Sequence, residues 1–88
     1  MVGYLAYSLA GHDKSRLYFV IEENETWVWL ADGKFRTLDN PKRKNKKHIQ
    51  IIKDVDDTMV QSIIDKSVTN ETIKRAIKLY CKDMMDKS

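Results

Sequence analysis

The sequence predicts a small, mainly β domain: a barrel of about five strands over residues 1–53, followed by two helices over 54–88 that pack on it. Three observations carry this. Up to residue 53, short runs rich in aromatic and β-branched residues alternate with clusters of turn residues. After Asp54 the apolar spacing becomes helical. The chain has 88 residues, enough for one modest core and too few for a second.

The first two expected strands are "GYLAYSL" (3–9) and "RLYFVIE" (16–22), separated by the polar turn "AGHDKS", where Gly11 is free to take positive φ. A second turn, "EENE", leads to a third strand, "TWVWLA" (26–31). Asp32-Gly33 is a dipeptide favoured in tight type I′ hairpins, so "KFRTL" is the expected return strand. Pro41 has no N–H to donate and interrupts pairing there. The run "KRKNKKH" (42–48) is then read as a basic loop, and "HIQIIK" (48–53) as the fifth strand. Closing five short strands into a barrel removes their edges. Beyond it, Met59, Val60, Ile63 and Ile64 define one helix, with Asp56 and Asp57 at its start, where the helix dipole favours negative charge. Thr69 or Asn70 can cap a second, whose stripe is Ile73, Ala76, Ile77, Tyr80 and Met84.

Charge is distributed unevenly. The net charge is +3, yet residues 1–41 carry four cations against six carboxylates, and residues 49–88 seven against seven. Lys42, Arg43, Lys44, Lys46 and Lys47 supply the excess, which is what an electrostatic footprint for an anion looks like. Such an array neutralises phosphates and releases counterions, giving affinity with little sequence information. A solvated, solubilising loop is the plainer alternative. Hydrophobic residues make up 42%, which argues against wholesale disorder. A single cysteine, Cys81, forms no internal disulfide and suits a reducing compartment. With no apolar run beyond five residues and no signal-like N-terminus, a cytoplasmic protein without membrane contact is expected.

Three stretches, "GHDK", "ADGKFR" and "PKRKNKKH", in that order along the chain, resemble the KOW-domain RNA-binding proteins. The likeness is to a small bacterial group similar to large-subunit ribosomal KOW proteins of archaea and eukaryotes. It covers roughly the first 50 residues. Gly11 takes the place of the characteristic glycine, while Ser15 stands where many members carry a second. The resemblance implies an SH3-like barrel that binds RNA, often ribosomal RNA, without catalysis, and so a link to translation.

The expected RNA-binding residues are Lys42, Arg43, Lys44, Lys46, Lys47 and His48, with His12, Lys14, Lys34 and Arg36 from neighbouring turns. Arg16 and Arg36 either extend this surface or cover the acidic "EENE" turn. Trp27 and Trp29 share one face of their strand, opposite Val28 and Leu30. They either stack bases or, as we expect, lie beneath the helices, because large exposed aromatic pairs are uncommon. His12, His48 and Cys81 have no metal-ligand spacing, and Cys81, beside the helical stripe, reads as a structural thiol. Glycines at 3, 11 and 33 form no phosphate loop. No enzyme activity, cofactor, metal or small-molecule substrate is expected. The alternative function is an SH3-like interaction module whose basic run meets an acidic protein.

Overall fold

The computed structural model describes residues 1–9 and 16–87, with side chains described as far as residue 82. The "AGHDKS" turn and the Met84 side chain therefore lie outside the described residues. Five strands form one sheet: β1 (Leu5–Ser8), β2 (Leu17–Glu23), β3 (Trp27–Ala31), β4 (Lys42–Asn45) and β5 (Ile49–Ile52). Their order is β4-β3-β2-β1-β5, and every neighbouring pair is antiparallel. A 3₁₀ turn, Lys46–His48, joins β4 to β5, and helices α1 (Asp57–Ile64) and α2 (Asn70–Lys87) follow.

Five strands and two helices agree with expectation, but the fourth strand is a different segment. "KFRTL" does not pair with β3. The Asp32 carboxylate accepts the N–H groups of Lys34 and Arg36 at 2.9 and 2.8 Å, and the N–H groups of Asp32 and Gly33 both donate to the Arg36 carbonyl. Backbone groups that a return strand would offer to β3 are thus used up in a local turn. Leu38 N–H then donates to Asn70 Oδ1 at 2.9 Å, tying the connection to the start of α2. Only beyond Pro41 does the chain pair, with Lys42 opposite Leu30 and Asn45 opposite Trp27. The basic run is consequently an edge strand and a 3₁₀ turn rather than a loop.

Gly33 is required where the turn meets α2. Its φ is +80°, and a Cβ there would collide with the Asn70 carbonyl oxygen.

The sheet has an apolar core on each face. Leu5, Phe19 and Ala31 pack with Met59 and Ile63 of α1 and with Ile73 of α2. The other face carries Ala6, Tyr18, Val20, Val28, Leu30 and Ile49, and among the described residues no helix residue belongs to this cluster. Even so, Val20, Val28 and Leu30 have no exposed area. Curling over this face is how a sheet buries it where no described layer covers it. Lys44 measures the curl: its Nζ donates to Ser8 Oγ at 2.6 Å, from edge strand β4 to β1, three places away. In a flat sheet those strands would be about 14 Å apart, at about 4.8 Å per strand. The register shift between Val20 and Glu22 is a bulge of the kind that adds twist and bend. Among the described residues β4 and β5 do not pair, so backbone bonds leave the barrel open.

The helices begin as the sequence predicts. Asp56 caps α1, its carboxylate accepting Thr58 N–H at 3.0 Å, and Thr69 Oγ1 accepts Thr72 N–H at 3.2 Å at the start of α2. Ile73 is completely buried, and Ala76, Ile77 and Tyr80 pack half-buried on the same core. The α1 stripe is narrower than expected: Met59 and Ile63 are buried, whereas Ile64 is exposed. Among the described residues no helix is long and apolar enough to cross a membrane.

Candidate nucleic-acid interface

Strand pairing divides the basic run between two faces. Lys42 and Lys44 stand opposite Leu30 and Val28, on the curled face, and are half-buried. Lys44 is held there by its bond to the fully buried Ser8 hydroxyl. Arg43 and Asn45 stand opposite Trp29 and Trp27 on the other face. The Arg43 guanidinium lies 4.5 Å from the Trp27 ring centroid, a diagonal cross-strand stack, and the rest of the side chain is exposed.

The 3₁₀ turn sorts the remaining cations. Asn45 Oδ1 accepts Lys47 N–H at 2.9 Å, capping the turn and leaving Lys47 and His48 exposed. Lys46 points the other way and pairs with Glu23 at 3.2 Å. Glu23 also takes the N-terminal ammonium at 3.3 Å. Burial pushes this carboxyl up, but the hydrogen bonds and charges of Lys46 and the N-terminus outweigh it, so Glu23 titrates below the ordinary carboxylate value. Within the acidic turn Glu23 is paired with the N-terminus and Lys46, whereas Arg16 lies 4.9 Å from the Phe35 ring.

The run that looked like five equivalent cations is therefore differentiated. Arg43 and Lys47 face solvent, Lys42 and Lys44 are half-buried, and Lys46 is in an ion pair. Lys34 and Arg36 belong to the turn at the far end of β3, where Lys34 is exposed with its Nζ 5.1 Å from the Phe35 ring, and Arg36 is half-buried. His12 and Lys14 lie outside the described residues.

Two expectations are corrected. Trp27 and Trp29 are half-buried and, among the described residues, neither belongs to the helix-side core. That core is built over Leu5, Phe19 and Ala31, nearer the other end of β3. Cys81 is exposed, because it falls beside the α2 stripe and not within it. Among the described residues no group of three His, Cys, Asp or Glu side chains is arranged to hold a metal ion.

The surface that results combines a flat cation stacked on an indole, a second indole at Trp29, and the exposed pair Lys47 and His48. Arginine and lysine meet phosphate oxygens, and indole faces accept bases of any sequence. Sequence reasoning placed the cations and missed their partnership with Trp27, which depends on a register that was assigned to another segment. Compared with known proteins, the chain matches no family model, and no curated protein matches it.

Proposed function

We propose that this chain is an RNA-binding protein of the KOW type. It recognises ribosomal or other structured RNA through phosphate contacts and acts in translation in the cytoplasm, without catalysis or a cofactor. The observation that carries this reading is the Arg43–Trp27 stack on the basic edge strand, flanked by exposed Lys47 and His48. Phosphate-directed cations beside a stacking platform are the combination that RNA surfaces reward. An acidic protein partner would use the cations and leave the indoles idle. The strand order, the 3₁₀ turn between β4 and β5, and the curled inner face support an SH3-like barrel as the scaffold.

The test is purification without nuclease, followed by ultraviolet cross-linking and sequencing of bound RNA. An absorbance ratio at 260 to 280 nm well above the protein value is expected, with cross-links at Trp27 or Trp29. Recovery of a salt-stable acidic protein with no RNA would replace this reading with a protein-interaction module.

A further inference from the structure

A second basic surface is assembled from three separate parts of the chain. Phe35 projects from the turn after β3 with 61% of its area exposed, the most exposed of the large apolar side chains described. Arg16, just before β2, and Lys34 bring their charges to 4.9 and 5.1 Å from its ring centroid. Lys74 and Lys78 of α2 line the same groove, whose floor includes Leu17 and Ile77. Arg75 lies beyond them, in the adjoining groove along α2. Among the described residues, Asp32 and Glu71 are the nearby carboxylates. The first is already occupied by the N–H groups of Lys34 and Arg36, and the second is paired with Lys74 at 3.2 Å. Among the described residues, cations therefore outnumber acids around an aromatic ring that stays 61% exposed with Arg16 and Lys34 lying over it.

The groove is open, at about 220 Å³. That is below the roughly 300–1,000 Å³ of pockets that enclose a whole small molecule. An exposed ring with cations on several sides instead matches one unit of a polymer laid across the surface: a base on the ring and phosphates on the lysines. An acidic peptide would satisfy the lysines but gives no role to Phe35. The turn is also rigidly held, by the Asp32 carboxylate and by the close approach of Gly33 to α2. The ring is thus presented by a fixed support, and ordering it on binding costs little.

We propose that Phe35, with Arg16, Lys34, Lys74 and Lys78, forms a second RNA contact that takes a single-stranded nucleotide, stacking its base on Phe35. Strand β3 separates this contact from the Arg43–Trp27 surface, so it stands independently of the reading given above. The expected ligand is a single-stranded segment, because a paired base cannot offer its face to the ring.

The experiment measures binding of an eight-nucleotide oligouridylate, and of an abasic sugar-phosphate oligomer of equal length, by amide and indole NMR shifts. With wild-type protein, oligouridylate should shift the amides of residues 33–36 and 74–78. Phe35→Ala should weaken oligouridylate binding at that location about tenfold while leaving the abasic oligomer unaffected, as loss of one base stack would. Phe35→Tyr should retain wild-type affinity. Lys74→Glu with Lys78→Glu should weaken both ligands. If Phe35→Ala changes neither ligand, or weakens both equally, no base stacks there and the proposal fails. Shifts confined to the Trp27 and Trp29 indoles would also overturn it while leaving the β4 surface standing. Shifts at Phe35 without any at the indoles would do the reverse.

Discussion

Reversing the two exposed cations of the β4 surface, Arg43→Glu with Lys47→Glu, should remove RNA affinity without unfolding the protein. Neither side chain supports the core: Arg43 touches Trp27 from outside, and Lys47 is exposed. The structural loss is one exposed cation–π contact, about 0.5–1 kcal/mol. At about 4–8 °C per kcal/mol for a domain of this size, the melting temperature should fall by less than about 8 °C. Each phosphate contact on a single strand contributes about 0.7 to the slope of log K against log salt, so losing two makes the slope shallower by about 1.4. Over a fourfold change in salt, wild-type affinity should therefore fall about sevenfold more steeply than that of the variant. Lys44→Glu with Lys46→Glu makes the same charge change within the same run but should behave differently. It places a carboxylate beside the buried Ser8 hydroxyl and replaces the Lys46–Glu23 pair with a repulsion. Losing this part-buried hydrogen bond from a charged group costs about 1.5–3 kcal/mol, so this variant should melt at least several degrees lower. Lys53→Glu with Lys66→Glu, at exposed positions that line neither surface, is the control. Fluorescence anisotropy of labelled RNA across a salt series, with thermal circular dichroism, reads out all three variants. Equal affinity losses in all three would mean that only net charge matters, and equal melting temperatures in the first two would refute the division of the run into exposed and internal cations.

Other outcomes follow from the same geometry. Ile73→Ala should cost about 2–5 kcal/mol in chemical denaturation, since Ile73 is fully buried between α2 and the sheet. Leu79→Ala, at an exposed position of the same helix, should change stability by less than about 0.5 kcal/mol. Gly33→Ala should destabilise by more than about 1 kcal/mol, because positive φ and the nearby Asn70 carbonyl both oppose a Cβ; an unchanged denaturation midpoint would show that the turn lies elsewhere. Because the Glu23 carboxyl is held below its ordinary value of 4.5, the unfolded chain binds its proton more readily. Its contribution is complete above that value and is lost as pH falls through the lower folded-state value. Glu23→Gln should therefore flatten the acid limb of the stability profile, and a limb as steep as wild type would rule the pairing out.

Local chemistry along the chain was enough to specify several elements. The spacing of Met59 and Ile63, and of Ile73, Ala76, Ile77 and Tyr80, together with Asp56 and Thr69 at the helix starts, depends on neighbours three or four residues apart. The alternation of Trp27, Val28, Trp29 and Leu30 likewise follows from a period of two, whatever the partner strand. The density of positive charge in residues 42–47 is a property of composition. Which segment pairs with β3 was a different kind of question. Asp-Gly favours a tight hairpin, but the Asp32 carboxylate captured the N–H groups that "KFRTL" would have used, and Asn70, 32 residues from Leu38, helped to hold the connection away from the sheet. Once Lys42–Asn45 became the edge strand, its register put Arg43 over Trp27, and the curl of the sheet brought Lys44 to Ser8. Arg16, Phe35 and Lys74 meet for the same reason. Periodicity reports which face a residue occupies on its own element, whereas contacts between distant elements depend on register, curvature and helix docking, which are set together when the whole chain finds its lowest free energy.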